Sequence, residues 1–219
     1  MEKSAFKSEY KPADYFRITI TSKISWGTTG DAHAAVIDML GSNGKILSFP
    51  HVVVKFAFTD IQKERLRHEF NVYAHLMASG ARGIPYMFGL FKDVETEVSA
   101  LVTENVGPSL WDCRVPDKTD RLYITISESE KTGFLNALKS IHDASVRHRD
   151  LRIENLTINH EGHPYIIDFD RAALGANEDS LRREYTDFID LLDGKYETSL
   201  SQGTPSPEAT AEGLETQAD

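Results

Sequence analysis

The sequence predicts an α+β fold in two lobes. An antiparallel sheet carrying one helix occupies the first half, a hinge follows, and a reduced, mainly helical second half completes the chain. Three observations lead there. The first hundred residues hold β-branched, partly alternating apolar runs broken by Gly- and Pro-containing turns. A single helical period interrupts them between Thr59 and Met77. Beyond residue 110 the period of 3.6 returns in two long stretches with one short apolar hairpin between them.

The strands come in order. YFRITITSKISW (15–26) alternates in part, and AHAAVIDML (32–40) follows the turn GTTGD. KILSFPHVVVKFAF (45–58) is a third strand, entered through Pro50, and YMFGLFKDV (86–94) and VSALVTE (98–104) form a further pair. The intervening helix opens with Thr59 and Gln62 in a capping-box pattern, and Leu66, Phe70, Tyr73 and Met77 recur on one face. At 3.6 residues per turn Glu69 falls near the centre of that apolar stripe and Glu64 almost opposite it. A carboxylate on the buried face requires a partner.

In the second half SESEKTGFLNALKSIHDA (127–144) opens on a second capping box, Ser127 with Glu130. The apolar hairpin LTINHEGHPYIIDF (156–169) comes next. A last helix, DSLRREYTDFIDLLDG (179–194), turns Leu181, Phe188 and Leu192 inward and ends at Gly194. The expected divisions are an N-terminal extension (1–14), the sheet-and-helix lobe (15–103), the hinge (104–109), the reduced second lobe (110–194) and a tail (195–219). That tail is rich in Ser, Thr, Pro and Glu, is acidic, and reads as disordered because it offers little apolar surface to offset its ordering entropy.

The 219 residues are 40% hydrophobic, enough for a core, and carry a net charge of -10. An acidic surface repels phosphate backbones, which argues against a nucleic-acid partner. One cysteine, Cys113, permits no internal disulfide, the start lacks a signal-peptide core, and no apolar run approaches the roughly 20 residues that span a bilayer. These features lead to an expectation of an intracellular protein, cytoplasmic or nuclear, with no membrane partner.

The chemistry concentrates in VRHRDLRIENLTINHEGHPYIIDFDRA (146–172). Asp150 and Asn155 lie five apart on one loop, and the hairpin brings Asp168 back toward them. A carboxylate and an amide carbonyl are hard oxygen ligands suited to Mg²⁺ with bound phosphates, and a second carboxylate can accept a hydroxyl proton. Lys55 interrupts the apolar run VVVKFAF and can neutralise phosphate charge, with Glu69 the obvious group to hold it. The set suits phosphoryl transfer, where positioning and charge neutralisation supply most of the catalysis.

On these residues the chain resembles the protein-kinase-like superfamily from about Tyr15 to Leu192, as a compact or truncated, atypical member. HRDLRIEN (148–155) is similar to the kinase catalytic loop H-R-D-L-x-x-x-N, and DFD (168–170) stands where that family has D-F-G. VVVK matches the strand bearing the phosphate-contacting lysine, and LVTENVGPSL (101–110) looks like the strand leading into the hinge. The resemblance implies a kinase using ATP and Mg²⁺. Asp150 would be the base, Asn155 and Asp168 the metal ligands, and Lys55, paired with Glu69, the contact to the α and β phosphates. Arg152 would touch the γ-phosphate, and His148 would brace the loop. Gly27 and Gly30 would cover the nucleotide, Thr103 would line the adenine pocket, and the backbone from Glu104 to Val106 would bind the adenine edge.

Three departures accompany it. GTTGDAHAAV keeps Gly27 and Gly30 without the G-x-G-x-x-G spacing, Asp170 replaces a glycine and its backbone freedom, and only Arg171 to Asp219 follows. No A-P-E motif is present, the peptide-docking helices are mostly missing, and Arg149 lacks its usual phosphate partner. The implied partners are a nucleotide and a phosphate acceptor, chiefly a protein Ser/Thr hydroxyl. The alternatives are a small-molecule acceptor and a non-catalytic, pseudokinase-type binding module. The cluster His142, Asp143, His148 and Asp150 also raises a metal-dependent phosphohydrolase, although it runs from a helix into a loop rather than sharing one face.

Overall fold

The computed structural model describes residues 16–27, 30–41, 44–93, 95–116, 122–123 and 126–194. The extension 1–14, Tyr15 and the tail 195–219 lie outside the described residues. Strand β1 (Phe16–Gly27) pairs antiparallel with β2 (Gly30–Leu40), which pairs with β3 (Ile46–Ala57). After helix α1 (Asp60–Ala78) come β4 (Met87–Lys92) and β5 (Ser99–Glu104). The sheet order is β1-β2-β3-β5-β4, so β5 is inserted beside β3 and leaves β4 at the edge. Pro50 lies inside β3 rather than at its start. The register with β2 slips between Ala35 and Ile37, opposite it, where a residue without an N–H is tolerated.

Both capping boxes form. Thr59 and Gln62 close the start of α1, and Ser127 and Glu130 close the start of α2 (Glu128–Asp143). Between β5 and α2, β6 (Val115–Pro116) pairs with β7 (Leu122–Tyr123). Beyond α2, β8 (Val146–Arg147), β9 (Leu156–Ile158), β10 (Pro164–Ile166) and β11 (Ala173–Leu174) precede α3 (Glu178–Leu192), capped by Asn177. The hairpin expected at 156–169 is β9 with β10, Ile158 facing Pro164. A second antiparallel pair, β8 with β11, brackets it, Arg147 facing Ala173.

Period-2 alternation decides what β3 presents to each side of the sheet. Val52 and Val54 pack with Ala35, Ile37, Ala100 and Val102 on one face. Ala57 and Leu101, which faces Lys55 across the β3–β5 pair, join α1 on the other, which is also the face of Lys55. There Leu66, Tyr73 and Leu76 of α1 meet Phe134, Leu138 and Ile141 of α2, together with Phe169 and Phe188. The α1 stripe is centred on Leu66, Glu69, Val72, Tyr73 and Leu76, while Phe70 and Met77 are only partly buried. Among the described residues no helix is long and apolar enough to cross a membrane.

Candidate functional site

The core places Lys55 and Glu69 face to face. Lys55 Nζ lies 2.6 Å from Glu69 Oε1 and 2.7 Å from Asp168 Oδ1, partners 14 and 113 residues away in sequence. Burial disfavours the lysine's charge, but the Glu69 and Asp168 carboxylates outweigh it and push its pKa upward. For Asp168, burial favours the neutral acid, yet the Lys55 ammonium prevails and holds the carboxyl below its usual range. Glu69 responds in the other direction. It is 1% exposed, its second oxygen is buried without a hydrogen-bond partner among the described residues, and burial raises it to about 7 against the attraction of Lys55. Its pairing with Lys55 therefore depends on the helix staying packed on the sheet.

The loop before the hairpin is held from three sides. His148, fully buried, donates through Nε2 to the Ile167 carbonyl at 3.0 Å, and its Nδ1 accepts the Asp150 N–H at 3.3 Å. That arrangement requires the neutral ring, and burial lowers the His148 pKa accordingly. The imidazole also lies 4.9 Å from the Phe169 ring, which is 5.0 Å from Tyr73 of α1. Asn155 donates through Nδ2 to the Asp150 carbonyl at 2.9 Å and to Asp150 Oδ2 at 3.3 Å. Its amide nitrogen is thereby committed, leaving the oxygen as the ligand atom it can offer.

The third anchor is Glu184 of α3. It is 5% exposed and accepts the N–H groups of His148 at 2.9 Å and Arg149 at 2.6 Å, and Nε2–H of His142 at 2.9 Å. Burial alone would raise its pKa, but the His142 bond and the two amides prevail and lower it. Sequence reasoning missed this residue. A signal existed: Glu184 stands four residues before Phe188 and eight before Leu192, on the same buried face, as Glu69 does in α1.

Two site residues adopt the left-handed backbone that side chains disfavour, Arg149 at φ 67° and Asp168 at φ 69°. Asp170 does not, so the glycine freedom expected at that turn is not used here. Carboxylate oxygens of Asp150, Asp168 and Asp170 lie within 4.8 Å of one another. Arg152 Nε stands 3.5 Å from Asp150 Oδ2 and Arg171 Nη1 3.8 Å from Oδ1. The phosphohydrolase cluster does not assemble among the described residues. His142 is turned to Glu184, and His148 to the Ile167 carbonyl.

The glycines sit where β1 and β2 join, Gly27 facing Gly30. Gly30 has φ 137°, and a Cβ there would lie 1.9 Å from the Phe56 carbonyl oxygen. Close approach to β3 thus explains Gly30. Thr103, in β5, pairs with Val53 and Met87. Beyond it, the Glu104 N–H is taken by the Tyr86 carbonyl at 2.8 Å and the Asn105 N–H by that of His51 at 3.0 Å. Val106 is buried, and its N–H meets no acceptor among the described residues.

No family model matches the chain. A stretch of 90 residues, 41% of the chain, is 37% identical to part of the serine/threonine-protein kinase KIC1 of Saccharomyces cerevisiae. The chain spans 8% of the length of that relative. Over that stretch the chain is similar to a protein kinase, and the α+β arrangement of its described residues, with a five-stranded antiparallel sheet and three α-helices, is compatible with the sheet lobe of one.

Proposed function

We propose that the protein is an ATP- and Mg²⁺-dependent phosphotransferase that delivers the γ-phosphate to a Ser or Thr hydroxyl of a protein. In this reading the sheet with α1 forms one lobe, residues 104–109 the hinge, and the elements from 110 to 194 a reduced second lobe. The observation that carries it is the ammonium of Lys55 bridging Glu69 and Asp168 across 14 and 113 residues of sequence. The partial likeness to a Ser/Thr kinase agrees with it.

The donor set fits a hard divalent cation, because Asp168 is held ionised and Asn155 has only its oxygen left to give. A bound Mg²⁺ would screen the phosphate charge. The acceptor hydroxyl gives its proton to Asp150 as its oxygen attacks phosphorus. The bond from that phosphorus to the β–γ bridging oxygen breaks, and ADP leaves with both electrons of that bond. Lys55 neutralises the α and β phosphates, Arg152 the transferred group, and the free N–H of Val106 meets the adenine edge. Gly27 and Gly30 turn the strand ends above the phosphates, and Thr103 backs the base.

A second reading, a non-catalytic nucleotide-binding module, is favoured by one observation: packing against Phe56 accounts for Gly30 without any phosphate. Calorimetry with ATP and Mg²⁺, paired with labelled phosphate transfer, separates the two. The proposal expects binding that Asp168→Ala abolishes and transfer that Asp150→Ala lowers at least a hundredfold. Binding without transfer leaves the module reading, and no binding at all ends both.

A further inference from the structure

Both oxygens of Asp150 face an arginine. Arg152 stands 3.5 Å from one and Arg171 3.8 Å from the other. The carboxylate is only 17% exposed, whereas the two arginine side chains are 55% and 63% exposed. The guanidinium groups are therefore far more open to solvent than the carboxylate they flank. Arg149, exposed and next in sequence, has its amide fixed on Glu184, and its guanidinium makes no ion pair among the described residues. Two arginines thus flank one carboxylate, with a third next to it in sequence, in a chain whose net charge is -10.

For Asp150 to accept a proton, one of its oxygens must be released by its arginine. Contacts of 3.5 and 3.8 Å are too long for good hydrogen bonds, and exposed ion pairs of this kind hold weakly. A guanidinium displaced from Asp150 can pair with an anion carried by the incoming molecule. Among the described residues, β11 pairs with β8 directly after Ala172 and α3 starts at Glu178.

We propose that the acceptor is an acidic peptide, with Asp, Glu or phosphorylated residues beside the accepting hydroxyl, read by Arg149 and Arg171 while Arg152 serves the transferred phosphate. This rests on the phosphotransferase reading and names its substrate class. The overall negative charge opposes such a partner at long range, so these arginines must supply the attraction locally.

The test measures binding directly, by fluorescence anisotropy of two labelled Ser-containing peptides of equal length, one rich in Asp and Glu and one rich in Lys and Arg. The full chain is expected to bind the acidic peptide at least tenfold tighter, with affinity falling as salt rises. Arg149→Glu with Arg171→Glu is expected to reverse the preference. The milder pair Arg149→Gln with Arg171→Gln is expected to remove it, with unchanged circular dichroism confirming the fold. Equal binding, a basic preference, or an acidic preference that survives both pairs overturns the proposal. Tight binding of free inorganic phosphate that blocks the acidic peptide no better than chloride does would also overturn it. Calorimetry with ATP and Mg²⁺ on the same protein reports separately on the phosphotransferase reading. ATP binding without acidic preference rejects only the acceptor class, and acidic preference without ATP binding rejects only the kinase chemistry.

Discussion

Glu184→Ala tests whether α3 holds the loop from His148 to Asn155 as the geometry requires. The substitution removes the acceptor for two backbone N–H groups, those of His148 and Arg149, and for the His142 ring. His148 is fully buried, so its amide gains little from water. An orphaned buried donor costs about 1–3 kcal/mol, and breaking a buried charged contact as a whole about 3–5 kcal/mol. At about 2–4 °C per kcal/mol for a chain of this size, Tm should fall by roughly 6–20 °C. Glu184→Gln keeps the shape and one acceptor oxygen and should cost about half as much. Differential scanning calorimetry gives the shift, and hydrogen exchange at the amides of residues 148 and 149 localises it. A loss within about 0.5 kcal/mol of the parent, the range of an ordinary surface change, would refute the anchoring argument. So would unchanged exchange at those two amides.

Three further outcomes follow from the same geometry. The pKa of His148 is lowered from 6.5 and that of Glu184 from 4.5, so for both the unfolded chain takes up protons first as pH falls. The His148 contribution should decline below about pH 6.5 and that of Glu184 below 4.5, while Glu69, raised to about 7, gains stability as pH falls from about 7 to 4.5 and opposes the first decline, so His148→Gln should leave thermal melts that rise as pH falls through that window. Gly30→Ala, with φ 137° and a Cβ only 1.9 Å from a carbonyl oxygen, should cost about 1–3 kcal/mol in urea unfolding. Gly162→Ala, where nothing lies within 4 Å of the added carbon, should cost less despite its φ of 83°. His68→Ala removes the ring nitrogen that donates to the Ala172 carbonyl at 2.8 Å, freeing α1 from the turn after Asp170. Nucleotide affinity measured by calorimetry should drop severalfold while His68→Gln restores part of it, and equal affinities in all three proteins would show that this contact does not position Glu69.

Local pattern determined a large part of this protein. Thr59 with Gln62 and Ser127 with Glu130 announce their helices because a capping box is satisfied within four residues of chain. Glu69 was legible because a charge in an apolar stripe must find a partner, and Lys55 because a charge in an apolar strand must as well. The loop from His148 to Asn155 was legible from its order and spacing, and its internal bonds are short-range.

What lay beyond reach depends on contacts between distant segments. Placing β5 between β3 and β4 is a choice among pairings that periodicity leaves equal. The left-handed backbone at Arg149 and Asp168 goes with contacts to distant segments, the hydrogen bond from the Arg149 N–H to Glu184, 35 residues away, and the Lys55 ion pair of Asp168. Asp170 reads as a lost glycine, yet its backbone angle needs none once β11 turns back onto β8. Glu184 shares its periodic signal with every surface glutamate until the fold closes over it. Sequence specifies which groups must find partners, because burial of charge and hydrogen-bond satisfaction are local demands. The packed chain alone decides which partner each one meets, because that depends on distances set by the whole core.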